Sequence, residues 1–242
     1  MRVLVISDIH ANLAAFEAVL EDAKGEWDII WCLGDLVGYG PDPNECVALL
    51  QEHEHISLSG NHDWAALGKL DTESFNREAQ IAIRWTQQAI SQETYDYLAK
   101  LPPKMKKGPY SLFHASPRHP VWEYILDAYT AAINFDHFET SYCLVGHTHV
   151  PVIYAELDDN TVQIMPPEYG RPLQLDSTRV IINPGSVGQP RDSDPRAAYA
   201  FLEIEKRTFE HRRVEYPVSV TQDRMRQYGI PPRLIRRLAY GW

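Results

Sequence analysis

The sequence predicts an α/β fold with two sheets. The chain opens as strand 3–6, helix 13–24 and strand 29–33, a βαβ unit whose helix carries apolar residues on one face. The second half is richer in strands. The strands predicted there cover residues 150–156, 161–165, 180–182, 198–204 and 209–216. A second sheet is therefore expected after the opening unit.

The first sheet is expected to gain a third strand and then a helical insertion. Asp42-Pro43-Asn44-Glu45 predicts a capping box that starts a helix towards Gln51, and strand 56–58 follows. Beyond it the apolar spacing becomes helical, with helices predicted at 72–90 and 91–101. We expect residues 64–108 to form a small helical cap.

The segments that follow return to strands and end in a basic tail. Strand 110–113, helix 130–138 and strand 142–145 are predicted in that order. Residues 217–242 form two short helices broken at Gly229-Ile230-Pro231-Pro232, and arginines make them locally basic. We expect these basic helices to close the fold and to expose their charged face to solvent. The alternative is a surface that binds a partner or nucleic acid.

Composition restricts the class of protein. A chain of 242 residues with 44% hydrophobic residues can bury a full core, and we expect one domain, 1–242. The formal net charge of −10 argues against stable nucleic-acid or membrane binding, because phosphate groups are held by clustered Lys and Arg. Cys32, Cys46 and Cys143 are widely spaced among apolar residues, as is typical of reduced thiols. With no leader or membrane-spanning run, a cytoplasmic location is expected.

One aspartate occupies the centre of the predicted chemistry. Asp35 lies in Gly34-Asp35-Leu36-Val37-Gly38-Tyr39-Gly40, directly after the apolar run 29–33. A carboxylate that follows a buried strand lies at the edge of the sheet where ligands usually bind. Its two oxygens are enough to contact two cations.

Other polar residues also follow predicted strands. Asp8 with His10, and His147 with His149, are each two apart on an extended segment, so each pair projects to one side and can chelate. A lone histidine is more often a surface or hydrogen-bonded residue than a ligand. We assign this role to His53, His55, His119, His137 and His211. Mixed oxygen and imidazole sets are preferred by borderline divalent metals. The strand-end set that predicts such a site is Asp8, His10, Asp35, Asn61, His62, His114, His147 and His149.

These residues fall into five ordered blocks that resemble the calcineurin-like metallophosphoesterase superfamily. The blocks are Asp8-Ile9-His10, Gly34-Asp35, Gly60-Asn61-His62-Asp63, His114 and Gly146-His147-Thr148-His149. Within the superfamily the chain is most similar to the small bacterial and archaeal phosphodiesterases of the YfcE-like group. The segment 183–191 also resembles the late glycine-rich turn of that group. The resemblance implies a four-layer αββα sandwich of two mixed β-sheets flanked by helices.

The resemblance also implies a dinuclear metal centre. One ion would be held by Asp8, His10 and His149. The other would be held by Asn61, His114 and His147, and Asp35 would bridge the two. Imidazole combined with oxygen ligands suits Mn, Fe, Zn or Ni better than Ca or Mg. Among these four ions we expect Mn first, with Fe, Zn or Ni as alternatives.

The implied reaction is phosphoester hydrolysis. A hydroxide bridging two metal ions would attack the phosphorus. His62 follows the ligand Asn61 and is implied as the general acid that protonates the leaving oxygen. Asp63 would either orient His62 or serve the start of a helix.

Departures from other branches of the superfamily narrow the expected substrate. Ser/Thr protein phosphatases usually carry Asp-Arg where this chain has Gly38-Tyr39, so a phosphate-binding arginine is missing there. Purple acid phosphatases place a tyrosine ligand at the position of Gly38. A nuclease would need an additional basic surface. The expectation that remains is a phosphodiesterase acting on small or nucleotide-like esters. A phosphomonoesterase and a non-catalytic metal-binding scaffold are the alternatives.

The sequence offers further candidates for substrate contacts. Trp64, Trp85 and Trp122 could stack on a base, although core packing is the commoner role of such residues. Arg191 and Arg196 could meet a phosphate. The sequence leaves the oligomeric state open.

Overall fold

The computed structural model describes residues 1–176 and 178–242. The strands are β1 (Arg2–Ile6), β2 (Ile29–Cys32), β3 (His55–Ser57), β4 (Lys104–Lys107), β5 (Tyr110–Phe113), β6 (Tyr142–Leu144), β7 (Val152–Glu156), β8 (Val162–Met165), β9 (Leu173–Gln174), β10 (Val180–Asn183), β11 (Ala197–Glu203) and β12 (Thr208–Val214). The helices are α1 (Leu13–Asp22), α2 (Pro43–Gln51), α3 (Asn61–Ala66), α4 (Arg77–Ala89), α5 (Gln92–Leu98), α6 (Ala128–Phe135), α7 (Val218–Gln227) and α8 (Pro232–Arg237). Within these described ranges, no helix is both long and apolar enough to cross a bilayer.

The strands form two mixed sheets of six strands each. The first has the order β3-β2-β1-β11-β12-β9, with β1, β2 and β3 parallel and β11 antiparallel to β1. The second has the order β4-β5-β6-β10-β7-β8, with β5, β6 and β10 parallel. Parallel strands bring their carboxyl ends to one edge of a sheet, so the loops that follow β1, β2, β3, β5 and β6 can supply one site.

The two sheets stack because successive apolar side chains along each strand point to opposite faces of the sheet. Val3 and Val5 of β1 pack with Leu144 of β6 in the layer between the sheets. Leu4, on the opposite face of the same strand, packs with Phe16 of α1 in the outer layer. A strand turns successive side chains to opposite faces, so an all-apolar strand must be covered on both sides. The second sheet is covered in the same way by α6, and the αββα sandwich implied by the resemblance is confirmed.

A further apolar cluster joins the helical insertion to the C-terminal helices. Ile83 of α4, Met225 of α7 and Leu234 of α8 belong to it, together with Tyr39 from the loop after β2 and Leu238 just after α8. Burial of each such side chain contributes about 1.5–3 kcal/mol relative to exposure. The C-terminal helices therefore pack beside the Asp35 loop.

Local details differ from the sequence predictions. The capping box at Asp42 is wrong: its side chain makes no hydrogen bond to the start of α2 and pairs instead with Arg224 of α7. The helix predicted at 72–90 is interrupted: a 3₁₀ turn at Thr72–Ser74 is followed by the extended residues Phe75 and Asn76, and α4 starts after them. Residues 104–107, assigned by sequence to the helical cap, form β4 at the edge of the second sheet. The two-residue strand β9 was not predicted.

Candidate metal centre

The eight strand-end residues meet at one edge of the sandwich. Three overlapping groups have possible ligand atoms within 4.8 Å of one another. They are Asp8 with His10 and His149, Asp35 with His10 and His62, and Asp35 with His114 and His147. Asn61 adjoins the third group, since its Oδ1 lies 3.2 Å from His114 Nε2. All eight side chains are buried.

Distances place the two carboxylates between imidazoles. Asp35 Oδ2 lies 3.6 Å from His10 Nε2 and 3.4 Å from His114 Nε2. Asp8 Oδ1 lies 3.3 Å from His149 Nε2 and 3.8 Å from His10 Nε2. The Nε2 atoms of His10 and His149 are themselves 3.0 Å apart. Asp35 is the carboxylate that faces histidines from both sides of the cluster.

Main-chain carbonyls fix the tautomers of three of these histidines. His10 Nδ1 donates to Val37 O at 3.2 Å, His114 Nδ1 to Leu33 O at 2.9 Å, and His149 Nδ1 to Gln189 O at 2.6 Å. A carbonyl can only accept, so Nδ1 carries the proton and Nε2 of the neutral ring presents a lone pair. The Nε2 atoms of the three rings therefore face carboxylate oxygens, which also only accept.

His147 is held in the opposite sense. Its Nε2 donates to the carbonyl of Trp122 at 3.2 Å, which leaves Nδ1 free to face the cluster. The ring of Tyr124 stacks on it with centroids 4.0 Å apart. These two contacts were not predicted, because the loop between β5 and α6 carries no pattern that indicates where it folds.

Each of the two aspartates uses one oxygen for the main chain and leaves the other unpaired. Asp8 Oδ2 accepts from the amide of His147 at 3.0 Å, and Asp35 Oδ1 accepts from the amide of His62 at 2.8 Å. Among the described residues, Asp8 Oδ1 and Asp35 Oδ2 are buried without a hydrogen-bond donor. A buried unpaired carboxylate oxygen is costly unless a cation compensates it. The donor set thus fits divalent metal ions.

The backbone adopts an uncommon conformation at the same residues. Asp8, His10, Asp35, His147 and His149 have φ between 49° and 64°, in the left-handed region that residues other than glycine rarely occupy. Such positions cost about 1–3 kcal/mol each and persist where the surroundings hold them. The strain is concentrated where the side chains must turn inward together.

The cluster favours additional positive charge. Burial raises the pKa of Asp8 and Asp35, but the neighbouring imidazoles outweigh it and hold both pKa values well below the usual range. Burial opposes protonation of His114, yet Asp35 raises the pKa of that ring to about 9. Burial lowers the pKa of His147 to about 3. When no cation compensates their charge, the two carboxylates therefore favour a proton on a neighbouring imidazole.

Comparison with known proteins identifies the family. A family model described as the calcineurin-like phosphoesterase superfamily domain matches residues 1–207. The chain belongs to this superfamily. A protein of Methanocaldococcus jannaschii described as uncharacterized is 38% identical over 245 residues, which cover 99% of this chain and 98% of that protein.

Solved structures agree with this assignment. The crystal structure of a metallophosphoesterase from Sphaerobacter thermophilus has 50% sequence identity and a TM-score of 0.91, and the match covers 100% of this chain and 99% of that one. A hypothetical protein from Pyrococcus horikoshii shares the fold with a TM-score of 0.82 at 20% identity, over 100% of this chain and 98% of that one. The superfamily predicted from five sequence blocks is confirmed.

In this calcineurin-like phosphoesterase, His62 lies beside the cluster and is enclosed by aromatic rings. The ring centroid of Tyr39 is 4.2 Å from that of His62, that of His10 is 4.9 Å away, and that of Phe75 is 5.2 Å away. His62 Nδ1 is buried and has no hydrogen-bond partner in the described part of the chain. Burial lowers the pKa of His62 to about 4, so the ring is neutral at pH 7.

Asp63 supports the loop that carries Asp35. Its carboxylate accepts from the amides of Asp35 at 2.9 Å, Gly60 at 2.9 Å and Val37 at 3.1 Å. The bond to Gly60 also caps the start of α3. Of the two roles considered for Asp63, these contacts match the helix-start role and add a tether between the β2 and β3 loops.

The two candidate arginines lie in different surroundings. Arg196 is paired with Asp194. The guanidinium of Arg191 instead lies 5.9 Å from the ring centroid of Tyr39, next to the candidate metal centre. Of the three tryptophans considered for stacking, Trp122 lies at this site, with its ring centroid 5.2 Å from that of Phe75.

Proposed function

We propose that this protein hydrolyses phosphoesters with two divalent transition-metal ions, Mn²⁺ being favoured, and that small or nucleotide-like phosphodiesters are its preferred substrates. Membership of the superfamily supports phosphoester hydrolysis. The observation that carries the metal dependence is the convergence of three imidazole Nε2 atoms on two unpaired, buried carboxylate oxygens.

The proposed ligand sets share one aspartate. Asp8, His10 and His149 would hold one ion, and Asn61, His114 and His147 the other. Asp35 would contact both, since its Oδ2 faces His10 and His114. When bound, such ions lower the pKa of a water molecule and offset charge on the phosphoryl oxygens.

His62 is proposed as the group that donates to the leaving oxygen. The aromatic rings around it exclude water and fix its plane, and its Nδ1 is unpaired. An anionic substrate raises the pKa of a nearby imidazole and so favours the protonated, donating form. The need for this proton grows as the leaving group becomes more basic.

The test of metal dependence uses two chromogenic esters. Protein stripped with a chelator is reloaded with Mn²⁺ and assayed with bis-p-nitrophenyl phosphate and p-nitrophenyl phosphate. We expect reloading to restore activity with a preference for the diester, and about two equivalents of metal per chain. Preference for the monoester would show that the protein is a phosphomonoesterase rather than a phosphodiesterase. If the protein binds metal tightly but cleaves neither ester with any divalent ion, the non-catalytic metal-binding scaffold becomes the favoured function.

The test of His62 compares it with a histidine outside the site. His62→Ala should retain the metal and lose most turnover on a diester with an alkyl leaving group, with a smaller loss on p-nitrophenyl esters. His137→Ala, which changes an exposed histidine, is the matched control. An unchanged rate of His62→Ala on the alkyl ester would remove His62 from the mechanism.

A further inference from the structure

One loop supplies two contacts that hold the imidazole of His147. The main-chain carbonyl of Trp122 accepts from His147 Nε2 at 3.2 Å, and the ring of Tyr124 stacks on the imidazole with centroids 4.0 Å apart. Glu123 is the residue between these two. The position of the His147 ring therefore depends on how the main chain at Glu123 is held.

The carboxylate of Glu123 accepts hydrogen bonds from three side chains. Its Oε2 accepts from Ser116 Oγ at 2.7 Å and from Asn134 Nδ2 at 2.8 Å. Its Oε1 accepts from Arg118 Nε at 3.0 Å. Ser116 and Asn134 are fully buried, and the side chain of Glu123 is 13% exposed. Because Asn134 belongs to α6, the carboxylate ties two parts of the loop to each other and to that helix.

The three donors make this carboxylate hard to replace. Asn134 also accepts from the amide of Arg118 at 3.0 Å and donates to the carbonyl of Thr130 at 3.0 Å, so its side chain is held in one orientation. A buried donor that loses its acceptor is costly. Without Glu123 the loop would have to move to give its buried donors new acceptors, and the Trp122 carbonyl would move with it.

Carbonyls outside this loop orient the other three histidines that are proposed as metal ligands. These carbonyls belong to Val37, Leu33 and Gln189. In the proposed centre, His147 is a ligand of the ion that Asn61 and His114 also hold, called the second ion below. The ligands of the other ion lie outside this loop. A change at Glu123 is therefore expected to affect the second ion selectively.

We propose that Glu123 is a positioning residue for His147 and thereby sets the affinity for the second ion. The proposal rests on the proposed function, because it takes His147 as a metal ligand. By fixing the Trp122 carbonyl, Glu123 keeps the imidazole proton on Nε2 and leaves the lone pair on Nδ1 for the metal. Replacing a residue that orients a ligating histidine typically changes metal affinity about 10–100-fold.

NMR of metal-stripped protein tests the positioning apart from metal binding and catalysis. In protein with ¹⁵N-labelled histidine, the imidazole nitrogen shifts report which nitrogen carries the proton, and His147→Gln identifies the His147 signals by their loss. We expect the wild type to show one tautomer of His147, with the proton on Nε2, and Glu123→Ala to show a mixture of both. If Glu123→Ala retains the wild-type tautomer, the proposal is overturned.

Titration of metal-stripped protein with Mn²⁺ tests the effect on the second ion. We expect two sites in the wild type, and in Glu123→Ala one site should weaken about tenfold or more while the other keeps its affinity. Glu123→Gln retains the size and one acceptor oxygen of the side chain, so it should fall between these two proteins. Glu156→Ala is the matched control, because Glu156 pairs with Arg179 at the end of β7 that lies away from His149. Both sites should keep the wild-type affinity in that variant.

The outcomes distinguish this proposal from the proposed function. If Glu123→Ala binds two ions with wild-type affinity, Glu123 does not position His147 and the proposed metal centre stands. Equal weakening of both sites, or the same loss in Glu156→Ala, would indicate a general loosening of the fold and overturn the role of Glu123. If the wild type binds no divalent ion, the proposed metal centre fails, and the NMR experiment alone decides whether Glu123 positions His147.

Discussion

Replacing one glycine tests the position of His62. A Cβ atom added at Gly38 would lie 2.5 Å from His62 Nδ1 and 3.0 Å from its Cβ, and Gly38 has φ of +91°. Gly25, with φ of +76°, has nothing within 4 Å of the added Cβ and so supplies the backbone strain alone. The strained conformation costs about 1–3 kcal/mol for a residue with a side chain. Gly38→Ala must add the displacement of a buried ring to that cost.

We expect Gly25→Ala to lower Tm by about 2–12 °C, since 1 kcal/mol corresponds to about 2–4 °C in a chain of this size. Gly38→Ala should lower Tm further and should reduce turnover on an alkyl diester while the metal content stays at the wild-type value. Thermal unfolding, metal analysis and steady-state kinetics on the three proteins provide the comparison. Equal Tm values for the two variants, together with wild-type turnover by Gly38→Ala, would refute the placement of His62 against this loop.

Three further predictions follow from the same structure. Asp35→Asn should lose metal as well as activity, because the amide removes the charge that faces His10 and His114; full metal occupancy in that variant would contradict the shared ligand. Removal of metal by a chelator should lower the free energy of unfolding, by about 2.7 kcal/mol per site when free metal had stood at 100 times Kd, and an unchanged unfolding curve would argue against tight sites. Stability should also fall as the pH drops from 6.5 to 4, because burial lowers the pKa of His211 to about 4 and the unfolded chain takes up that proton first. His211→Gln lacks this titrating group, so between pH 6.5 and 4 the unfolding free energy of the wild type should fall by about 3 kcal/mol more than that of the variant. Parallel curves of unfolding free energy against pH for the two proteins would exclude a contribution from His211.

Patterns within short segments predicted most of the strands and the polar residues that follow them. Val3 to Ile6 and Ile29 to Leu33 are apolar at every position, which indicates strands covered on both faces, and the structure covers them in this way. Asp8 and Asp35 follow β1 and β2, which are parallel neighbours in the first sheet, so their closeness follows from the opening βαβ unit. His114 follows β5 of the second sheet and reaches them because the two sheets stack.

Contacts made across long sequence distances escaped prediction. Asp42 has the residue type and spacing of a helix cap, but an arginine from α7 competes for its carboxylate, and no local pattern reports that competition. The carbonyls that hold His147 and His149 come from Trp122 and Gln189, and any residue has a carbonyl. Their contribution depends on where the loop folds rather than on which side chain it carries.

The bond from His149 to the carbonyl of Gln189 has a consequence for biosynthesis. Gln189 lies 40 positions after the histidine that it orients, and Ser186 and Gly188 hold the main chain of Asp8 from the same turn. A nascent chain that ends before this turn carries every proposed ligand but lacks the groups that aim two of them. Tight metal uptake should therefore begin only after residues 186–189 have been synthesised and have folded onto the site. The ion acquired in the cell then depends on the metal pool that the chain meets at that stage, rather than on the pool present when the ligand residues are first synthesised.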